Sequence, residues 1–399
     1  MRTVILCLVI IHCLLLCGCA GSPSESPAEP KPDEIRAVWI SYLDLNLPAE
    51  SRNEASFRAM AKEMTETIRE GKMNTVFFQV RPFSDAIYKS AIFPYSAVIA
   101  GTEGEDPGFD ALDLFCEYAK ESDISVHAWI NPFRVGKASD LEQRSDKNPA
   151  KQILCDDNRE NDRRVVNVDG TLYYNPANAE NRKLILDGIR ELLANYPIDG
   201  IHIDDYFYPT TKAFIDEAEY ETYRSEGGTS SLDDWRRTQI NMLVSSMYSC
   251  VKSYGSEKVF SVSPALQIEN NYDMLYADVK RWASCDGYCD WLIPQVYVGF
   301  EHETSPFCET IKRWESIERS PNVRLLFGLA AYKCGIEDIY AGTGSSEWVD
   351  RSDILSRQIE YISRQGHCDG FSMFSYSYIF GEKMSYNSEL EMKAVISMI

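Results

Sequence analysis

Residues 34–399 are predicted to form a (β/α)8 TIM barrel with an inserted, hairpin-containing loop after the third strand, and three observations point to it. Eight short segments rich in β-branched and aromatic residues recur along the chain, and patterns of helical spacing separate them. Their alternation over this length suits a barrel, which occupies roughly 200 to more than 400 residues with insertions. An open doubly wound sheet is the competing arrangement. It fits less well, because no Gly-rich phosphate loop follows the first segment.

In chain order, residues 1–33 read as an address and a spacer. Arg2 precedes an apolar run from Val4 to Leu16, too short for a membrane span, which needs about 20 residues. The ending Leu16-Cys17-Gly18-Cys19 resembles a bacterial lipobox. Residues 1–18 are therefore expected to be a lipoprotein signal peptide, with Cys19 the lipidated first residue. The Pro- and Ser-rich stretch that follows makes 19–33 an extended tether.

The eight segments are Ile35–Ser41, Met73–Pro82, Ile124–Phe133, Ile198–Tyr206, Val259–Pro264, Trp291–Tyr297, Arg324–Ala330 and Gly370–Tyr376. Between them, Phe57–Glu70 has helical spacing and stops at Gly71. Ala111–Glu121 follows Asp110 as N-cap, and Leu184–Asn195 precedes Tyr196-Pro197. Leu232–Ser253 follows Ser231 with Asp234 in capping-box position, and Ile354–Arg364 leads into the last strand. Arg134 to Pro197 is too long for one helix, and Asp169-Gly170 marks a hairpin turn within it. An insertion there is expected to wall or cover the cleft.

Composition narrows the function. A net charge of -21 repels nucleic acid and anionic membranes, so the only membrane contact expected is through the lipid, and no protein partner is indicated. The 23 Tyr and 7 Trp suit stacking on sugar faces as well as core packing. Cys285 and Cys289 have no second Cys/His pair nearby, and no His-x-His or His-Glu-x-x-His occurs among the 5 His. No metal or cofactor is expected.

Barrel chemistry sits at the C-terminal strand ends. The fourth segment ends in Asp204-Asp205, and alternation puts His202, Asp204 and Tyr206 on one face. Adjacent carboxylates raise one another's pKa and are hard to justify structurally. By the same parity, other tips offer Gln79 and Arg81; His127, Trp129 and Asn131; Gln295 and Tyr297; and Ser372, Phe374 and Tyr376. Amides, phenols and indoles around an acidic pair suit a polysaccharide substrate. Asp204 and Asp205 are the expected catalytic groups. The substrate-binding set is Gln79, Arg81, His127, Trp129, Asn131, His202, Tyr206, Gln295, Tyr297 and Tyr376.

Glycoside hydrolysis normally uses two separated carboxyl groups, and Asp44, Asp85 and Glu301 are candidate second partners. In a substrate-assisted scheme, one Asp would orient a 2-acetamido group while its neighbour protonates the leaving oxygen. Asp204 as a covalent nucleophile on neutral glycans, or a non-catalytic glycan-binding role, remain open alternatives.

The motifs Arg36-Ala-Val-Trp-Ile-Ser41, Phe78-Gln-Val-Arg-Pro82, His127-Ala-Trp-Ile-Asn-Pro132, Asp199-Gly-Ile-His-Ile-Asp-Asp-Tyr206 and Pro294-Gln-Val-Tyr297 resemble the bacterial glycosyl-hydrolase-like 10 family, from about Glu34 to Tyr376. That resemblance implies a lipoprotein or secreted barrel acting on N-acetylated glycans, with peptide-free peptidoglycan strands the leading substrate.

Overall fold

A computed structural model describes residues 34–399; the expected signal peptide 1–18, the expected lipidation site Cys19 and the expected tether 19–33 lie outside the described residues. Twelve strands follow in chain order: β1 (Ile35–Ile40), β2 (Thr75–Arg81), β3 (Ser125–Ile130), β4 (Arg134–Lys137), β5 (Val165–Val168), β6 (Thr171–Tyr174), β7 (Gly200–Ile203), β8 (Val259–Val262), β9 (Trp291–Leu292), β10 (Gln295–Val296), β11 (Arg324–Leu329) and β12 (Gly370–Phe374). All but β4–β6 belong to one sheet, whose order is β10-β11-β12-β1-β2-β3-β7-β8-β9. The β9–β11 pairing closes it, and every ladder in it is parallel. β9 and β10 are one stave interrupted at Ile293-Pro294, where proline has no N–H to donate to the ladder. The barrel therefore has eight staves.

Capping explains the helix starts. Asp110 accepts from the Leu112 and Asp113 amides, and Ser231 accepts from Asp234, as their spacing predicts. Two helices begin earlier than hydrophobic spacing indicates, because Asn53 caps Glu54–Glu70 and Asn178 caps Ala179–Asn195. The main apolar core lies between staves and helices. A second cluster fills the barrel: Ile35, Ala37, Trp39, Phe77, Trp129, Trp291, Ile293 and Leu326. Gly328 lets the Trp39 indole lie across the interior, since a Cβ there would stand 2.9 Å from the ring.

Two local features govern the site. First, the β2–β3 register slips between Gln79 and Arg81: Gln79 pairs with Trp129, but Arg81 pairs with Ile130. The extra residue is a bulge, and it reverses the facing of everything after it. Second, β4, β6 and β5 form a separate antiparallel sheet between β3 and β7. Its hairpin turns at Asp169 (φ 49°) and Gly170 (φ 87°), the paired positive φ of a type I′ turn.

The loop after β7 is pinned from behind by a buried ion pair. Arg236 Nε and Nη2 donate to Asp216 at 2.8 and 2.6 Å, and the Tyr208 hydroxyl donates to the same carboxylate at 2.9 Å. Arg236 also reaches the Thr211 carbonyl at 2.8 Å and the Tyr276 hydroxyl at 2.9 Å. Both charged side chains are completely enclosed. Asp216→Ala leaves the guanidinium buried without its counter-charge and is expected to cost about 3–5 kcal/mol in urea unfolding. A loss below about 1 kcal/mol would show that the loop does not depend on this pair.

Candidate active site

A cavity of about 700 Å3 opens at the C-terminal ends of the staves. Its floor is Trp39, Gln79, Trp129, Asp204, Asp205 and Gln295, and its sides include Tyr42, Arg134, Tyr173, Tyr206, Tyr208, Tyr297, Tyr332 and Phe374. Asp204 and Asp205 are the only carboxylates among the described lining residues.

Asp204 is fixed by a directed relay. The Tyr42 backbone N–H donates to Gln79 Oε1 at 3.0 Å, which fixes the orientation of that amide. Gln79 Nε2 then donates to Asn131 Oδ1 at 2.6 Å, and Asn131 Nδ2 donates to both Asp204 oxygens at 2.7 and 2.6 Å. Trp129 Nε1 adds a donor at 3.1 Å, and the Tyr206 amide another at 3.4 Å. Burial, then the neighbouring Asp205 charge, raises the Asp204 pKa from 3.8 to about 7, against the pull of Asn131. Burial also raises that of Asp205, opposed by its hydrogen bond to Gln295. The two titrate as a unit that holds a proton into the neutral range.

Of the expected site residues, Asp204, Asp205, Gln79, Trp129, Tyr206, Gln295 and Tyr297 come together on the cavity. Asn131 lies just beneath it, touching Asp204 rather than the opening. His202 is deeper still. It accepts from Trp39 Nε1 at 3.0 Å through Nε2, so Nδ1 carries the proton and donates to Ser261 Oγ at 2.8 Å. Its ring stacks on Phe77 with centroids 4.1 Å apart. His127 is fully buried against Trp291 with centroids 4.7 Å apart, and burial holds its pKa down at about 3. Both histidines are neutral interior residues, which corrects the expectation that they contact substrate.

Arg81 and Tyr376 are also corrected. The bulge turns Arg81 outward, where its guanidinium stacks 4.4 Å from the Phe93 ring centroid and abuts Gly188 of the helix Ala179–Asn195. β12 ends at Phe374 and Tyr376 starts a short helix, so strand parity no longer applies; its ring packs against Phe380 instead. The candidate second acids lie off the cavity. Asp44 accepts from the Ser41 amide and hydroxyl at 2.7 and 2.8 Å, Asp85 is buried outside the lining, and Glu301 is exposed elsewhere.

Sequence reasoning missed Trp39, Tyr42, Arg134, Tyr173, Tyr208 and Tyr332. Trp39 shares strand parity with Ala37 in the interior, a usable signal; Arg134 and Tyr173 depend on where the insertion folds. None of the eight cysteines in the described residues forms a disulfide, and no group of three metal-ligating side chains occurs among them.

An acidic pair at the C-terminal mouth of an aromatic-lined eight-stave barrel is the architecture of a glycoside-hydrolase-type enzyme. The pattern of the family described as Glycosyl hydrolase-like 10 matches residues 34–343, and the chain belongs to that family. Glycosyl hydrolase YngK of Bacillus subtilis is 32% identical over 356 residues, 84% of this chain and 68% of its own length. Glycosyl hydrolase DigH of Escherichia coli O6:H1 is 31% identical over 373 residues, 82% of this chain and 83% of its own. The PgaB (BpsB) glycoside hydrolase domain of Bordetella bronchiseptica superposes with a TM-score of 0.57 at 12% identity, covering 91% of this chain and 99% of that one. At such low identity the likeness is one of fold.

A carboxyl whose pKa rises on folding contributes most stability below its unfolded value and costs stability as pH climbs toward the folded one. For Asp204 that window runs from 3.8 to about 7. Asp205→Asn removes the repulsion, so the variant is expected to melt higher than wild type at pH 8, with the gap narrowing toward pH 4. A gap that does not change with pH would rule out charge coupling between the two carboxylates.

Proposed function

We propose that the protein is a glycosidase of N-acetylated amino-sugar glycans, with peptide-free peptidoglycan strands as its leading substrate. The observation that carries this reading is that the only acids on the described cavity surface are adjacent in sequence. A classical arrangement needs a second carboxyl across the scissile bond, and the described lining offers none there. A substrate that brings its own nucleophile removes that need.

In this mechanism, the carbonyl oxygen of the 2-acetamido group attacks the anomeric carbon. The bond to the leaving oxygen breaks, and Asp205 gives that oxygen its proton. Asp204 accepts a hydrogen bond from the acetamide N–H and balances the positive charge of the cyclic oxazolinium. Asp205, now ionised, takes a proton from water as the water adds to the anomeric carbon and reopens the ring. The roles are assigned from the contacts: the donors on Asp204 act against the burial that raises its pKa, while Asp205, also raised by burial, has fewer partners and can exchange the proton the pair shares. Trp129, Tyr206, Tyr297 and Phe374 supply flat faces for sugar C–H groups. The reading includes anchoring in the cell envelope through a lipid on Cys19, with the barrel outside the cytoplasm on its tether.

Wild type, Asp204→Asn and Asp205→Asn would be incubated with peptide-free glycan strands and the products read by mass spectrometry. Wild type is expected to release short amino-sugar fragments, and each variant to be slower by about 100-fold or more. No release from folded wild type would remove this substrate. Trapping of a glycosyl-Asp204 adduct would replace substrate assistance with covalent catalysis.

A further inference from the structure

Arg134 is the only lysine or arginine among the described residues lining the cavity. It begins β4 directly opposite Tyr173 of β6, and both face the opening. Its guanidinium lies between two rings, 4.5 Å from the Tyr206 centroid and 4.8 Å from that of Phe83. Elsewhere Arg144 pairs with Glu103 at 3.1 Å and Arg236 with Asp216 at 2.6 Å, while the buried Arg81, off the cavity, stacks on Phe93 with its Nη1 unpartnered. Among the described residues, no hydrogen bond or ion pair engages the N–H groups of Arg134. Its charge reaches Asp204 and Asp205 and opposes the burial that raises their pKa values, but neither carboxylate forms a hydrogen bond or ion pair with it.

The two rings hold the fork in place, so little side-chain freedom is lost when it meets a partner. A planar guanidinium with its donors unengaged fits one partner best, a carboxylate accepting two parallel N–H bonds. We propose that Arg134 binds a carboxylate carried by a sugar of the substrate, making it a specificity-determining residue. The inference rests on the amino-sugar reading of the cavity and narrows it to acidic amino-sugar glycans. In peptidoglycan the muramic acid sugar carries a lactyl ether. Its carboxyl is free and negative when the stem peptide is gone, and is a neutral amide when the peptide is attached. Arg134 thus gives the cleft a charge-based preference for bare strands over peptide-bearing ones.

The test is calorimetric binding of wild type, Arg134→Gln and Arg134→Lys to three tetrasaccharides: a muramic-acid-containing one, its lactyl methyl amide, and an uncharged chitin tetramer. Wild type is expected to bind the free acid about tenfold more tightly than the amide. Arg134→Gln should erase that preference, with any change in chitin tetramer affinity no larger than the change for the amide, and Arg134→Lys should keep part of it. An equal loss of affinity for all three ligands in Arg134→Gln would assign Arg134 a structural role and overturn the proposal. Equal wild-type affinity for acid and amide would overturn it while leaving the amino-sugar reading intact. Absence of binding to any of the three by folded wild type would overturn both.

Discussion

The hydrogen-bond relay from Tyr42 to Asp204 is the constraint on which the site depends. A backbone N–H can only donate, so it fixes which end of the Gln79 amide faces it. That choice fixes the Asn131 amide, and with it the donors presented to Asp204. Four staves contribute: the residues after β1, the end of β2 and the residues just after β3 and β7 must stand in register for the relay to close. The barrel supplies that register, and the bulge in β2 lets Gln79 point inward while Arg81 packs a helix from outside. Barrel closure and carboxylate orientation are therefore one geometric requirement.

Beneath the relay, the interior is packed with rings. Trp39, Phe77, Trp129 and Trp291 enclose His127 and His202, whose pKa values are driven down by burial. Neutral histidines here contribute shape and, for His202, a link between Trp39 and Ser261, with no change of charge across the neutral pH range. Charge is confined to the layer above, where two carboxylates share a desolvated floor and one arginine stands in the wall. Below it, a dry base keeps water from screening them.

Much of this was legible in the sequence, for reasons that also mark where legibility ends. Staves such as Ile124–Phe133 and Ile198–Tyr206 announce themselves because both faces are buried and β-branched or aromatic residues fill them. The Asp pair could be placed because it ends such a strand. Alternation failed at Arg81 because one extra residue looks no different from a regular strand in the sequence. It failed at Tyr376 because the strand ends two residues earlier. His127 sits on the correct face but too far from the open end, and depth along a strand is not encoded in parity. Arg134 and Tyr173 are brought to the cavity by the fold of an insertion whose position no local pattern specifies.

The small β4–β6–β5 sheet has one further consequence. It shares no ladder with the barrel and hangs between the end of β3 and the helix Ala179–Asn195. Its length and lining can therefore change without reopening the barrel or disturbing the carboxylate relay. About forty residues, from 134 to 174, can thus vary apart from the strands that carry the acidic pair. Such a division would let closely similar barrels diverge in diet while keeping their chemistry.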